Sequence, residues 1–557
     1  MCGIFFVSHL HHQRSDIIEN AFYLGKHRGP DDSRLISFNN IVKPHSIYKI
    51  NDYFMGFHRL SINGLDSTSG QPFIKNHVYV ICNGEIYNFK KLYDITNIKQ
   101  ETNSDCEIII DLYLNGYSIE KIVNMLDGVF AFVLYDLNID TVFAARDPFG
   151  IRPLFYCYNN FNSRIMFASE MKQLIELSKI NNKSINIFPP GHYIKFDKST
   201  INNKFIKYYT IPNGEINCIE RYPNFDTYQH YYQHYYQHMI KTQLINSVKK
   251  RLLSDRPIAC LLSGGLDSSL ICSIVCSLLL ENKQKLHTFS IGMAGSTDLY
   301  YAKKVSDYLG TVHTEIVVSE DDFFDAIPEV IEKIESYDTT TVRASVGNYL
   351  ISKYISKNTD FKVIFNGDGS DELTGGYLYF HNSPNQLASD CEVRRLLKDI
   401  HYFDVLRSDK SISSCGLEPR TPFLDKSFVN SYLSVPIEYR FPKDKIEKYL
   451  LRMAFMGYLP DEILFRKKEA FSDGVSSQNN SWFQIIQERL KCYHPKNVYL
   501  KTEQMYSKLT LEQKYYRDIF DKLYPNHFNI IPYYWMPKWS NTNDASARTL
   551  EIYNKKN

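Results

Sequence analysis

IACLLSGGLDSSLICSIVCSLLL (258–280) is the most apolar run in the chain, and Gly264, Gly265 and Asp267 interrupt its middle. A membrane span needs about 20 apolar residues and does not carry Gly-Gly and a carboxylate at its centre. The run therefore reads as a buried strand, a tight loop and a helix beginning near Leu266. KLHTFSIG (285–292) and FKVIFNG (361–367) read as further apolar strands with helical stretches between them. Strands joined through helices lie parallel in one sheet, so the second half of the chain is expected to be α/β.

The first ~210 residues read differently. Short β-prone runs such as VYVICNG (78–84), FAFVLYD (130–136) and TVFAARD (141–147) are separated by turn signals, among them HRGPDD and RDPFGIRP. Antiparallel sheets with a few covering helices fit that spacing. Between the halves, 211–245 contains a YYQH repeat and little apolar periodicity, and reads as tract expansion in a linker. Its four-residue His spacing would suit a metal only on a helix, and no carboxylate or Cys completes a ligand set. The expected organisation is a first domain over 2–210, a linker over 211–245 and a second domain over 246–557.

A chain of 557 residues is too long for one core, which agrees with two domains. The net charge of +2 and pI near 7.9 give no broad basic field for nucleic acid or a membrane surface. Eleven cysteines without CxxC or Cys/His ligand spacing suit reduced thiols. The N-terminus lacks the basic start and apolar stretch of a signal peptide, so a cytoplasmic location is expected.

Two loops and one terminus carry chemistry. In SGGLDSS (263–269) the glycines admit close backbone approach, the serines add hydroxyl donors, and a helix N-terminus offers free N–H groups to phosphate. Asp267 would repel phosphate unless a cation stands between them, which makes it a candidate Mg2+ ligand. Taken alone, the loop also suits an unliganded Gly/Ser-rich helix cap. NGDGSDE (366–372) follows another strand; Asp371 is a candidate second metal carboxylate, and a solvated acidic turn is the plain alternative. Cys2 stands directly behind the initiator Met. If Met1 is trimmed, the thiol (about 8.5) gains a free α-amine (about 7.7–8) as its base. A small residue placed there incidentally is the other reading.

Taken together, HRGPDD (27–32), HRLSI (58–62), NGEIYN (83–88), SDCE (104–107), LDGVFAF (126–132) and RDPFGIRPL (146–154) resemble the glutaminase domain of class II glutamine amidotransferases. SGGLDSS resembles the pyrophosphate loop of ATP pyrophosphatases. With YDTTTVRAS (337–345), GDGSDELTGGYLYF (367–380), GLEPRTPFLD (416–425), EKYLLR (447–452), RKKEAFSDG (466–474) and YYWMPKW (533–539), nearly the whole chain is similar to glutamine-hydrolysing asparagine synthetases. The fold this implies is α+β then α/β: an αββα Ntn-hydrolase sandwich followed by a parallel-sheet ATP-pyrophosphatase domain with additional helices.

The resemblance also implies roles. Cys2 would be the nucleophile, with the Asn83 side chain and Gly84 N–H as oxyanion donors. Arg59, Leu60, Ser61, Ile62, Asn63, Glu85 and Asp105 would hold glutamine, Arg59 through its α-carboxylate. Leu261 and Ile291 would hold adenine, with Asn366 and Gly367 also on the nucleotide. Ser263, Gly264, Gly265, Asp267, Ser268 and Ser269 would cradle pyrophosphate, Thr340, Arg343 and Lys468 would lie near the phosphates, and Asp267 and Asp371 would bind Mg2+. ATP and Mg2+ are the implied cofactors, aspartate and glutamine the other substrates, and a homodimer the implied assembly. Three departures stand out: Asn366-Gly367-Asp368-Gly369 where most relatives have Ser-Gly-Glu-Gly, Ser408 where an Ala is typical, and the YYQH insert. Asp368, at the position tied to β-aspartyl-AMP, is one methylene short. Rival readings are an amidotransferase–adenylase with another carboxylate acceptor, a tRNA-modifying ATP pyrophosphatase, and a non-catalytic sensor retaining the fold.

Overall fold

The computed structural model describes residues 1–10, 15–39, 52–159, 164–181, 184–197, 204–212, 225–442, 446–495, 508–542 and 544–554. In the first half, two antiparallel sheets lie face to face. One runs Asn186–Ile187, Phe155–Asn159, Arg164–Ala168, Gly3–Leu10, Asp52–Arg59, Asp32–Asn39; the other runs Phe205–Lys207, His192–Asp197, Thr141–Arg146, Gly128–Asp136, Val78–Ile86, Phe73–Lys75. Strand side chains alternate, so each strand feeds two cores. Ala131, Val133 and Tyr135 meet Ile4, Phe6 and Ile81 between the sheets. Phe130, Phe132 and Leu134 point the other way, under helices Phe89–Thr96, Ile108–Leu114 and Ile119–Met125. Helices Ser15–Tyr23 and Lys172–Asn181 cover the opposite sheet, completing the expected αββα layers. Because both faces of these strands are buried, they read as continuous apolar runs.

The second half carries the expected parallel sheet, in the order Val312–Val317, His287–Gly292, Ile258–Leu261, Val363–Phe365, Glu418–Arg420. The central strand pairs Cys260 with both Thr288 and Phe365. The carboxyl ends of Ile258–Leu261 and Val363–Phe365 therefore lie side by side, and each delivers its polar loop to the same edge. Helix Leu266–Leu280 starts where the sequence places it.

The stretch expected to be a linker through 245 is helical from Phe225, in a single helix Phe225–Lys250. Ile240, Leu244 and Val248 form its buried stripe at four-residue spacing. Before them, Tyr, Gln and His contain no helix breaker, so the helix extends outward from a docked end. Tyr232 and Tyr236 stack one turn apart at 6.4 Å, and Tyr236 meets Tyr439 at 5.2 Å. Its described side chains from Tyr232 to His238 are exposed or half-buried, so the repeat shows no apolar periodicity although it is helical. His234 and His238 are exposed, and no group of three His, Cys, Asp or Glu capable of holding a metal occurs among the described residues.

The two halves share a buried interface. Leu60, Ile62, Val129, Phe149 and Ile151 join the apolar cluster that holds Leu262, Phe365 and Leu424. Beside it, Arg28 is fully buried, with Nη1 on Glu170 and Nη2 on Asp409, each at 2.7 Å. Its Nε donates to the carbonyl of Cys2 at 3.0 Å. One guanidinium thus ties the Cys2 backbone to the second half. No disulfide links the described cysteines, and no described helix is long and apolar enough to cross a membrane.

Candidate active sites

Cys2 precedes strand Gly3–Leu10, and its thiol donates to the Leu60 carbonyl at 3.7 Å. Burial pushes the thiol up to about 11 and lowers the Met1 amine to about 6. Asn83 lies in Val78–Ile86, the strand of the facing sheet that pairs with Gly128–Asp136, Asn83 opposite Ala131 and Gly84 opposite Phe130. The Asn83 side chain is fully buried, and neither its nitrogen nor its oxygen has a hydrogen-bond partner. A buried amide left unsatisfied costs about 1–3 kcal/mol. Strand geometry holds it in place, available to a charge that forms during reaction.

The other residues expected to hold glutamine make the following contacts. Arg59, at the end of Asp52–Arg59, donates to the carbonyls of Asp66, at 2.7 Å, and Gly64, so it shapes the 64–66 loop. Asn63 Nδ2 donates to Glu85 Oε2 at 2.5 Å. Asp105 accepts from the Ile86 N–H at 2.6 Å, and burial raises its carboxyl to about 6. Glu85 is pushed well above the usual carboxylate range, first by burial and then by the charges of Glu418 and Asp105. The 60–64 strip faces the second half: the Ser61 carbonyl accepts from Arg256 Nε at 3.0 Å, Ile62 O accepts from the Asp255 N–H at 3.0 Å, and Gly64 N–H donates to Asp255 at 2.8 Å.

In the second half, one cavity gathers Leu261, Ser263, Gly265, Asp267, Ser268, Ile291, Thr340, Asn366, Gly367, Asp368, Asp371 and Lys468, as the sequence reading expects. Gly367 makes this convergence possible, since a Cβ there would fall 2.8 Å from the backbone of Asp267 and Ser268. Ser263 and Ser268 hydroxyls meet at 3.0 Å, and Gly265 caps helix Leu266–Leu280 with no side-chain partner for its first N–H groups. That arrangement suits an anion. The Thr340 hydroxyl is buried without a partner. Gly264 and Ser269 stand just behind the lining: the Gly264 carbonyl accepts from Arg466 at 2.9 Å, and Ser269 is fully buried.

Arg343 departs from expectation. Its guanidinium is not in the cavity; it reaches Glu512 at 2.7 and 2.5 Å and Asp544 at 2.9 and 2.7 Å, with Phe483 beneath it at 5.0 Å. Two carboxylates far along the chain claim it, a pairing that its local motif does not reveal. Its place there is structural, tying helix Thr339–Asn358 to the C-terminal segments.

Asp368 is clamped: Arg407 donates to one oxygen at 2.8 Å and Asn366 Nδ2 to the other at 2.6 Å. Asp267 and Asp371 converge on a residue the sequence reading passed over inside EKYLLR. Lys448 Nζ lies 2.7 Å from both Asp267 oxygens and 2.6 Å from Asp371, while Lys468 lies 2.6 Å from Asp371. Burial opposes the charged form of Asp371, but the Lys448 and Lys468 ammoniums outweigh it and hold the carboxyl well below the usual range. A small hard cation at the Lys448 position would meet carboxylate oxygens from both loops, so the donor set fits Mg2+.

Two family models match the chain: one described as asparagine synthase over residues 239–396 and 383–546, one described as glutamine amidotransferase domain over residues 1–221. Proteins named asparagine synthetase (glutamine-hydrolyzing) from Rattus norvegicus, Mus musculus and Homo sapiens are each 42% identical over 548 residues, covering 95% of this chain and 94% of theirs.

Proposed function

The chain belongs to the glutamine-hydrolysing asparagine synthetase family, and we propose that its two sites divide the work of that reaction as follows. With Met1 removed, the Cys2 thiolate attacks the side-chain amide carbon of glutamine. Asn83 Nδ2 and the Gly84 N–H receive the oxyanion, ammonia leaves with the proton passed through the Cys2 amine, and water releases glutamate from the thioester. In the second site a β-carboxylate oxygen of aspartate attacks the α-phosphorus of ATP, the bond to the β-phosphate breaks, and pyrophosphate departs. Ammonia attacks the acyl carbon of β-aspartyl-AMP and AMP leaves. Adenylation is needed because a free carboxylate repels nucleophiles and has no adequate leaving group. The backbone and hydroxyls of Ser263–Ser269 hold the phosphates, Lys468 offsets their charge, and Asp368 orients the acyl centre. Mg2+ held by Asp267 and Asp371 would neutralise charge on the departing pyrophosphate.

The observation that carries this reading is the single cavity in which Ser263, Gly265, Asp267 and Ser268 meet 366–369, Asp371, Thr340 and Lys468, apart from Cys2 and Asn83 in the first half. Ammonia passing between the two sites would cross the interface at which apolar side chains of both halves pack together. Domains over 2–210 and 246–557 remain our division, with helix Phe225–Lys250 packing on the second. We place the protein in a reducing, cytoplasmic setting, which suits cysteines scattered without ligand spacing. The test supplies ATP, Mg2+, aspartate and amide-15N glutamine and measures asparagine and AMP. Equimolar AMP and labelled asparagine are expected; unlabelled product, or glutamate without asparagine, would refute the proposal.

A further inference from the structure

Lys448 stands where two carboxylates converge, and three observations suggest it does so temporarily. Its ammonium contacts both oxygens of Asp267, one of Asp371 and the Ser370 hydroxyl at 3.3 Å, saturating its three donors within the loops that face phosphate. The side chain is almost fully buried and leaves a backbone with φ of +59°, a conformation uncommon for a residue other than glycine. It reaches the carboxylates across Gly376: a Cβ there would fall 1.9 Å from Lys448 Cε and 2.3 Å from Asp371 Oδ1.

Charge then decides what can enter. Two ammoniums, Lys448 and Lys468, balance two carboxylates, Asp267 and Asp371. A divalent cation arriving alone would meet the Lys448 ammonium at the position it needs, and Coulomb repulsion at such distances in a buried site is large. A triphosphate changes the balance, because its oxygens give the displaced ammonium a new partner. A second, smaller cavity is lined by Gly265, Asp267, Lys448, Arg452, Arg466, Lys468 and Glu469, and so borders both Lys448 and the N-terminus of helix Leu266–Leu280.

We propose that the Lys448 ammonium is an exchangeable counter-cation: it holds Asp267 and Asp371 together in the ligand-free enzyme, excludes a lone divalent ion, and transfers to the pyrophosphate oxygens when metal and ATP bind together. This rests on the ATP-site reading above and adds to it a rule of joint binding. No covalent bond is made or broken; one ammonium exchanges carboxylate for phosphate contacts. By linkage, metal and nucleotide must strengthen each other's binding by the same factor.

The experiment needs no turnover. Mn2+ is titrated by calorimetry into wild type, Lys448→Gln and Gly376→Ala, with and without α,β-methylene-ATP. Circular dichroism and melting temperature establish folding. Without nucleotide, Lys448→Gln is expected to bind Mn2+ about tenfold or more tightly than wild type, and Gly376→Ala, which keeps the lysine but displaces it, to shift the same way. The strengthening of Mn2+ binding by nucleotide, large in wild type, should shrink in both. Asp267→Asn should abolish Mn2+ binding in every background. Equal or weaker Mn2+ affinity in folded Lys448→Gln and Gly376→Ala, or an undiminished nucleotide effect, overturns the proposal. Failure of wild type to make asparagine while Mn2+ behaves as expected would overturn the functional reading instead.

Discussion

Asn366 Nδ2 donates to Ser408 Oγ at 2.8 Å and to Asp368 Oδ2 at 2.6 Å. The three positions around the proposed adenylation site that the sequence reading singles out as departures from the family pattern are therefore one hydrogen-bonded unit. The amide of Asn366 gives one hydrogen to the Asp368 carboxylate and the other to the Ser408 hydroxyl. Arg407, next to Ser408, closes the clamp on Asp368 from the other side.

Lengthening Asp368 alone should therefore harm the enzyme. Asp368→Glu forces a methylene into a clamped site, and such overpacking costs about 1–3 kcal/mol, so asparagine turnover is expected to fall about tenfold. Asn366→Ser, Asp368→Glu and Ser408→Ala combined should recover most of it, with a coupling of about 1–2 kcal/mol in the cycle. Steady-state asparagine formation checks this. A single Asp368→Glu variant faster than wild type would show that the clamp does not govern the position.

Cys2→Ala should abolish glutamine-dependent synthesis and leave ammonium-dependent synthesis within about twofold, since the adenylation cavity contains no residue of the first half. Asp267→Asn should do the reverse, ending both syntheses while glutamine hydrolysis continues. The buried Met1 side chain occupies space beside Cys2. Protein shown by mass spectrometry to retain Met1 should lack glutaminase activity.

Asn83→Ala should lower glutamine-dependent kcat by about 10²–10³, the usual cost of one oxyanion donor. Its melting temperature should not fall, because the amide has no partner to lose. A stability loss without a kinetic one would assign Asn83 to the fold.

His58 gives a pH signature. Fully buried, stacked on Phe22 at 3.9 Å and bonded to Ser33 and the Phe22 carbonyl, it is lowered to about 4 by burial. Between its unfolded value of about 6.5 and about 4 the unfolded chain binds the extra proton, so stability rises with pH and is lost as pH falls through that window. His58→Gln should be less stable at pH 7 through lost stacking, yet lose about 3 kcal/mol less than wild type between pH 7 and 4, read from denaturant midpoints. Parallel pH profiles would contradict this.

What the sequence by itself determined is local. SGGLDSS is legible because its strand, glycines and helix start are neighbours in the chain. NGDGSDE is legible for the same reason, and the continuous apolar run before Asn83 reports both faces of a buried strand. The tertiary structure alone decided which distant partner each charged side chain meets. Lys448 sits 181 residues from Asp267, Arg343 leaves the cavity for Glu512 and Asp544, and Arg28 crosses between halves to Asp409. Helix Phe225–Lys250 exists because Ile240, Leu244 and Val248 dock at one end, which the YYQH stretch cannot announce. Backbone preference is written in adjacent residues, whereas a buried ion pair forms only where packing brings two charges together and removes water from both.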